Sequence, residues 1–202
     1  MAQLALFDSG ETVLADDALG RIVYRPGFVE APVAQGWFAE LRENVEWKAE
    51  RRQIYDREVD VPRLTAHFRL GEDALPPAIV QAADRVITGI GVAFNSVGLN
   101  FYRDGRDSVA PHNDHLDTLV EGAPIALLSL GSARRMTIRA KKPPKRVLHI
   151  DLEPGSVLMM SYETQLHYTH GIPKTKEPVG ERFSLAFRLK PGPGEGAVGS
   201  AR

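Results

Sequence analysis

The sequence contains a His-x-Asp motif whose two side chains could bind one metal ion. His112 and Asp114 are two positions apart, and on a β-strand residues at i and i+2 leave the same face. One further histidine would complete a set of two imidazoles and one carboxylate. Such a set leaves coordination positions open and suits iron(II) that must also bind O₂ and a cosubstrate. The chain has no cysteine, so any metal must be held by imidazole and carboxylate groups.

Spacing alone leaves the ligand set open. A second His-x-Asp motif, His115 and Asp117, follows at an offset of three. An odd offset turns that pair to the opposite face of a continuing strand, so only one pair can face inward. For the third ligand, His167 and His170 lie on one later predicted strand and are both candidates. His149 alternates with apolar neighbours on an earlier strand, so we expect it to face solvent.

Length and composition favour a single globular domain. The chain has 202 residues, of which 43% are hydrophobic and 25% charged, which is ordinary for a globular protein with a buried core. The formal net charge is -1, so any nucleic-acid binding must come from a local basic patch. The first residues show neither a basic segment nor a long apolar stretch, so we expect a cytoplasmic protein without a membrane span.

The first part of the chain predicts mixed α and β structure. A short strand is expected at residues 22–24, and a helix over 32–45, where Pro32 suits the first turn. Residues 51–69 are polar with a proline inside and predict a hairpin or loop. A second helix is expected over 77–91, with Asp73 or a neighbour as its cap. The expected buried faces comprise Val33, Trp37, Leu41 and Val45 on the first helix and Ile79, Ala83, Val86 and Ile90 on the second.

After Phe94 the pattern changes to short apolar runs separated by turns rich in glycine and proline. Eight strands at this spacing predict a sandwich or jelly roll. The predicted strands cover residues 97–102, 110–115, 125–130, 136–139, 147–152, 156–161, 167–173 and 182–188. We therefore expect an N-terminal segment (1–93) with helices and a substrate lid, a catalytic core (94–190) and a disordered tail (191–202), within one compact domain.

The segment that leads into the first His-x-Asp motif resembles the AlkB family of dioxygenases. The residues 94–109, Phe-Asn-Ser-Val-Gly-Leu-Asn-Phe-Tyr-Arg-Asp-Gly-Arg-Asp-Ser-Val, match a run that precedes H-x-D in that family. Further matches follow in the same order and at compatible spacing. They are Pro-Ile-Ala-Leu-Leu-Ser-Leu-Gly at 124–131, Gly-Ser-Val-Leu-Met-Met at 155–160, Thr-Gln through His-Gly-Ile-Pro-Lys at 164–174, and the pair Arg182 and Arg188.

This resemblance implies a particular iron site and fold. The family's metal ligands fall on His112, Asp114 and His170. Its fold is a double-stranded β-helix (a jelly roll), which makes the chain α+β but mainly β, with the N-terminal helices packed on one sheet. This agrees with the eight strands counted from the turn pattern.

The resemblance also implies a site for 2-oxoglutarate. Arg182 matches the arginine that pairs with the distal carboxylate, for which a planar guanidinium is apt. Arg188 matches a second arginine near the cosubstrate and the metal-bound carboxylate. Asn100 and Tyr102 match polar contacts to 2-oxoglutarate, and Ser184 lies between the arginines.

Three positions depart from the family pattern. Asn and Thr often lie between the two arginines, where this chain has Ser184 and Ala186. The acidic residue that touches the substrate base in known members, two positions after the ligand Asp, falls on Leu116. An apolar side chain cannot accept a hydrogen bond from an exocyclic amine, so base preference does not follow from the resemblance.

The activity implied by the resemblance is oxidative dealkylation of N-alkylated bases in DNA or RNA. Iron(II), 2-oxoglutarate and O₂ would act together, with succinate, CO₂ and an aldehyde as products. Two alternatives keep the iron but change the substrate: an RNA- or tRNA-modifying enzyme, and a protein or small-molecule hydroxylase. A catalytically silent nucleic-acid-binding relative is a third interpretation, which the complete triad and both arginines argue against. We expect a monomer.

Two segments are candidates for substrate contact, and Arg51 with Arg52 and Lys174 with Lys176 could add to them. A basic run between 134 and 146 contains no acidic residue and would suit phosphates, although a solvated hairpin explains it equally well. The residues 62–68 resemble the family's substrate lid, without the aromatic run that usually follows. The candidate contacts are Arg51, Tyr55, Arg63, His67, Phe68, Leu116, Arg134 and Arg135.

Overall fold

The computed structural model describes residues 10–54, 57–72, 74–143 and 145–192, without the side chains of 52–60. The prediction for Tyr55, the suggested cap Asp73 and the expected disorder of 193–202 therefore lie outside the described residues. None of the helices in the described part has the length and apolar character needed to cross a membrane.

The described part of the chain contains twelve strands, three helices and one 3₁₀ turn. The strands are β1 Thr12–Asp17, β2 Gly20–Arg25, β3 Lys48–Ile54, β4 Arg57–Arg69, β5 Ser96–Tyr102, β6 Val109–His112, β7 Ile125–Gly131, β8 Arg134–Ala140, β9 Val147–Leu152, β10 Val157–Met160, β11 Tyr168–Ile172 and β12 Arg182–Arg188. The helices are α1 Ala31–Asn44, α2 Pro77–Ile90 and α3 Tyr162–His167, and the 3₁₀ turn is Leu116–Thr118.

The strands form two sheets whose topology is that of a double-stranded β-helix. The major sheet has the order β1-β2-β10-β7-β12-β5-β4-β3, and the minor sheet has the order β6-β11-β8-β9. The last eight strands of the chain divide equally, since β5, β7, β10 and β12 lie in the major sheet and the other four in the minor sheet. The predicted jelly roll is therefore confirmed, with each predicted core strand present to within a few residues.

The N-terminal segment contributes more β structure than the sequence suggested. The strand expected at 22–24 is β2, which pairs with β1 and with β10. The segment expected as a hairpin or loop is the long hairpin β3–β4, and β4 pairs with β5 from Leu64 to Arg69. Pro62 lies just before this pairing begins, as expected for a residue without a backbone N–H. Both hairpins thus extend the major sheet rather than form a separate layer.

The two long helices pack on one face of the major sheet. In α1 the buried face is formed by Ala34, Trp37 and Leu41, whereas Val33, predicted to be buried, is 42% exposed. In α2 the predicted residues Ile79, Ala83 and Val86 are buried. The first turn of α2 is capped by the other helix, because the Glu40 carboxylate accepts a hydrogen bond from the Ala78 N–H at 2.9 Å.

Alternation along β12 separates an apolar layer from a polar one. Phe183, Leu185 and Phe187 belong to the core beneath the helices, and Phe183 stacks on Phe38 with ring centroids 4.6 Å apart. Arg182 and Arg188 are on the opposite face, because successive strand residues alternate. That face looks into the space between the two sheets, where the site is built.

Candidate metal centre

The structure brings His112, Asp114 and His170 together between the sheets. One potential ligand atom from each lies within 4.8 Å of the others, and the two imidazole centroids are 4.5 Å apart. His112 ends β6 and is directly paired with His170 on β11. Among the described residues, these three form the one cluster of three histidine or carboxylate groups close enough to share an ion.

A glycine allows the two histidine-bearing strands to approach. A Cβ atom at Gly171 would lie 2.8 Å from the Val109 carbonyl oxygen and 3.1 Å from the Ala110 carbonyl carbon. Any side chain there would force β6 and β11 apart, and the paired histidines with them. The register of the β6–β11 pairing also shifts between His170 and Ile172, so the pairing is irregular next to the two histidines.

Hydrogen bonds orient two of the three ligands, His112 and Asp114, for metal binding. The Nδ1 atom of His112 lies 2.9 Å from the Ala110 carbonyl oxygen, and a proton on Nδ1 would leave Nε2 as the metal-binding lone pair. The Asp114 carboxylate accepts a hydrogen bond from Arg188 Nε at 2.6 Å. The backbone N–H of Asp114 donates to Gln165 Oε1 at 3.0 Å.

The electrostatic environment favours the metal-binding form of two ligands. Burial would raise the pKa of Asp114, but the Arg188 guanidinium and its hydrogen bond outweigh burial and hold that pKa below its usual value. Burial lowers the pKa of His170 to about 3. The pair therefore presents a carboxylate and a neutral imidazole near neutral pH, which are the states that bind metal.

The competing histidines lie elsewhere. The strand β6 ends at His112, and the chain continues into the 3₁₀ turn. His115 and Asp117 are therefore exposed beyond the strand and do not lie on its opposite face. His167 ends the short helix α3, one turn before His170. His149 is exposed, as predicted, and its Nδ1 lies 3.2 Å from the Thr137 hydroxyl.

Arg182 is a buried cation with unmet hydrogen-bonding capacity. Its exposed fraction is 0%, and burial lowers its pKa to about 10, so it stays protonated near neutral pH. Its Nη2 donates to Ser129 Oγ at 3.0 Å, while Nε and Nη1 have no partner among the described residues. A buried guanidinium with two unsatisfied donors fits a carboxylate ligand, since a carboxylate can accept both hydrogen bonds.

The other residues predicted to contact 2-oxoglutarate lie around Arg182. The Tyr102 ring lies 5.2 Å beneath the guanidinium, and burial raises the pKa of Tyr102. Ser184 is paired with Asn100 on one side and with Ser129 on the other. The sequence analysis assigned no role to Ser129 or Gln165, although both lie in segments that resemble the family, because their roles depend on contacts across 50 or more positions.

Two cavities meet beside the metal ligands. The first cavity has a volume of about 830 Å³ and extends from His112 towards β3 and β4; it is called here the edge cavity. Its wall includes Glu46, Glu50, Thr65, His67, Phe68 and Asn100. The second, of about 620 Å³, is called here the groove; it crosses the outer side of β6, β8 and β11, and its wall includes His115, Arg139 and Lys174. His112 and Arg63 line both.

Comparison with known proteins places this geometry in a family. Residues 68–188 match the 2OG-Fe(II) oxygenase superfamily. The chain is 33% identical over 175 residues to bovine "DNA oxidative demethylase ALKBH2", which covers 75% of this chain and 62% of the relative. It is 31% identical over 197 residues to rat "Alpha-ketoglutarate-dependent dioxygenase alkB homolog 3", covering 88% of this chain and 67% of that protein. The chain belongs to the AlkB family.

Solved structures show the same fold in more distant proteins. The structure of OsALKBH1 superposes with a TM-score of 0.63 at 15% identity, over 89% of this chain and all of that one. A prolyl-4-hydroxylase from Pseudomonas putida superposes with a TM-score of 0.55 at 14% identity, over 84% of this chain and 93% of that one. The chain has a donor set and a buried arginine that fit iron(II) and 2-oxoglutarate. It spans about three fifths of the length of the bovine relative.

The basic residues predicted to contact substrate have different environments in this AlkB-family chain. Arg134 is 3% exposed and donates to the carbonyl oxygens of Asp104, Asp107 and Pro173. It therefore cannot reach a phosphate, and its prediction as a substrate contact is wrong. Arg135 is exposed but forms a two-fold hydrogen bond with Asp151, with both distances 2.8 Å.

The remaining substrate candidates divide between the cavities and the core. His67, Phe68 and Arg63 line the edge cavity, although Phe68 also packs against the core beneath the helices. Arg51 is exposed on β3. Leu116 packs against the core between the sheets and is absent from the walls of both cavities, so the prediction that it contacts substrate is not supported by its position.

Proposed function

We propose that this chain is an iron(II)- and 2-oxoglutarate-dependent dioxygenase that removes alkyl groups from ring nitrogens of bases in DNA or RNA. The products would be succinate, CO₂ and an aldehyde, which is formaldehyde for a methyl group. The observation that carries the proposal is the pairing of an open His-Asp-His cluster with a buried arginine that has unmet donors. The relatives named for oxidative DNA demethylation support the choice of substrate.

Each group in the site has a defined task under this proposal. His112, Asp114 and His170 would hold the iron, and Arg182 would fix the far carboxylate of 2-oxoglutarate. When bound, iron and 2-oxoglutarate supply the activation of O₂ and the oxidation of the N-alkyl carbon. Arg188 keeps Asp114 ionised through its 2.6 Å hydrogen bond. The apolar core between the sheets keeps bulk water from the inner end of the site.

The groove supports binding of a nucleic-acid strand. Arg139 and Lys174 are exposed on its wall, and the iron ligand Asp114 is the one carboxylate among the described residues that line it. Such a wall attracts phosphates, and it leads to His112. A base within a duplex cannot reach a site between two sheets, so the target base must be unpaired or flipped out.

A turnover screen tests the proposed function. The iron-loaded chain is incubated with 2-oxoglutarate and with methyl or etheno adducts placed in single-stranded DNA, double-stranded DNA and RNA. We expect succinate and aldehyde to form in equal amounts with at least one oligonucleotide. Turnover of a protein or small molecule, with none of any modified oligonucleotide, would overturn the repair function and favour the hydroxylase alternative.

A cytoplasmic location and a monomeric state complete the proposal. Light scattering of the purified chain tests the monomeric state. A measured mass of twice the chain mass would contradict it. Preference for a tRNA or another RNA over DNA in the turnover screen would instead support an RNA-modifying role at the same iron site.

A further inference from the structure

The base-reading acceptor expected from the family pattern is missing from its position in this chain. Leu116 occupies that position in sequence, is apolar, and packs into the core between the sheets. The neighbouring residue His115 faces the groove, where the cationic side chains lie. An acceptor for an exocyclic amine must therefore come from another element of the fold.

The edge cavity contains such an acceptor. Among the described residues that line the two cavities, the carboxylates other than Asp114 are Glu46 and Glu50. Glu50 is on β3, and the Thr65 hydroxyl on β4 donates to its Oε1 at 2.7 Å. Thr65 is directly paired with Asn100 on β5, so Glu50 is held in a row of polar residues that runs across the sheet toward the cosubstrate site.

The position of the carboxylates in the two cavities indicates where the base lies. The groove, with Arg139 and Lys174, suits the phosphates of the strand. The edge cavity starts from the same His112 and is also lined by Lys48, Arg63 and Arg188, but it carries the two glutamates and the flat side chains of His67 and Phe68. A base turned out of the strand in the groove would pass His112 and enter the edge cavity.

We propose that Glu50 accepts a hydrogen bond from the exocyclic amine of the alkylated base and so selects amino bases over oxo bases. Alkylation of the ring nitrogen next to that amine makes the base cationic, and a hydrogen bond between a cation and a carboxylate is stronger than one between neutral groups. A carboxylate has lone pairs for several donors at once, so Glu50 can bind the base and keep its other partners, Thr65 among them. This inference rests on the proposed dealkylation.

The test compares two bases that differ at one exocyclic group. Oligonucleotides carrying a single 3-methylcytosine or 3-methyluracil have the same N-methyl group, but the first has an amine where the second has an oxygen. Demethylation is measured as kcat/KM, and binding is measured by fluorescence anisotropy with Mn²⁺ in place of iron. We expect the unmodified chain to prefer 3-methylcytosine in both measurements.

The Glu50→Gln variant should lose this preference by about 10- to 100-fold, the size expected for one hydrogen bond to a charged group. The loss should appear in the ratio of the two bases, in both kcat/KM and binding. The Thr65→Val variant, which removes the hydroxyl that positions Glu50, should lose part of the preference. The Glu153→Gln variant makes the same chemical change in an exposed turn and should keep the full preference.

The outcomes separate the two proposals. If the unmodified chain demethylates 3-methylcytosine and the Glu50→Gln variant keeps the same ratio between the bases, Glu50 does not read the amine and the dealkylation function stands. If the unmodified chain demethylates neither base nor any other adduct, both proposals are overturned. Loss of preference in the Thr65→Val variant supports the role of Glu50 even if the Glu50→Gln variant fails to fold.

Discussion

Replacement of Arg182 by methionine should weaken binding of 2-oxoglutarate by about 10²- to 10⁴-fold. The Nε and Nη1 atoms are buried without partners among the described residues, and a carboxylate could accept from both. One hydrogen bond to a charged group contributes about 1.5–3 kcal/mol, so two such bonds together contribute about 3–6 kcal/mol, which converts to that range of affinity. Methionine matches the arginine side chain only as far as Nε and has no donor.

The same replacement should leave the ligand-free chain folded. Removing a buried cation that lacks a counter-ion relieves its desolvation cost, which offsets the loss of the 3.0 Å hydrogen bond to Ser129. We expect the free energy of unfolding to change by less than about 2 kcal/mol, a range set by the cost of one unsatisfied hydroxyl. Isothermal titration with 2-oxoglutarate and Mn²⁺, and urea unfolding without ligand, give the two quantities separately.

Two results would refute this account of Arg182. Unchanged affinity for 2-oxoglutarate in the Arg182→Met variant would show that another group binds its far carboxylate. A loss of several kcal/mol of stability in the ligand-free variant would show that Arg182 is a paired structural cation. The Ser184→Ala variant gives the comparison, because it alters the same strand and face and removes a hydroxyl but no charge, so its loss of affinity should be smaller.

Four further predictions concern the metal ligands, their supports and the charged surface. The His170→Ala variant should lose iron-dependent turnover, whereas the His167→Ala variant should retain it; the reverse in a succinate assay would identify His167 as the ligand. The Gln165→Leu variant should bind Mn²⁺ about 10- to 100-fold more weakly with the fold intact, because the Asp114 N–H loses its acceptor; equal affinity by titration would exclude a positioning role. Burial raises the pKa of Asp107, but its bonds to Arg103 outweigh burial and hold that pKa below its usual value. The carboxylate therefore stabilises the fold above about pH 4, and this contribution is lost as the pH falls through the lowered pKa. In urea unfolding, the Asp107→Asn variant should be less stable than the unmodified chain at pH 7 and approach it at low pH, and a difference that does not change with pH would contradict this account. The Arg139→Ala variant should bind single-stranded DNA more weakly, and the slope of log affinity against log salt concentration should fall by about 0.7. The Arg135→Ala variant should change affinity and slope less, because Arg135 pairs with Asp151. Equal effects of the two variants in anisotropy titrations would contradict DNA binding in the groove.

Local patterns were sufficient to predict the core strands and the two long helices, whereas the short helix α3 was not predicted and His167 was placed on a strand. Alternation along 182–188 gave a strand with one apolar face, and the structure places Phe183 and Phe187 in the core. Turns rich in glycine and proline marked the ends of the eight core strands. These signals are local because hydrophobic burial acts on one face of one element at a time.

Features that depend on distant contacts could not be predicted. The polar segment 51–69 does not show that β4 adds to the major sheet, since its pairing partner β5 lies some 30 positions later. The basic run 134–146 gave no means of separating the buried Arg134 from the exposed Arg135, although alternation on β8 accounts for the difference once the strand is known. The distal ligand came from the resemblance, since spacing alone did not distinguish His167 from His170.

The location of Glu50 on the outermost strand of the major sheet has a consequence for how this site can change during evolution. In the described sheet, β3 is bonded to β4 alone and ends the strand order, while the paired histidines lie in the other sheet. Substitutions on β3 therefore disturb few backbone contacts of the iron centre. Substrate range can diverge along this strand while oxidation chemistry is inherited unchanged, and residues 48–54 are the natural segment to randomise in a search for new base preference.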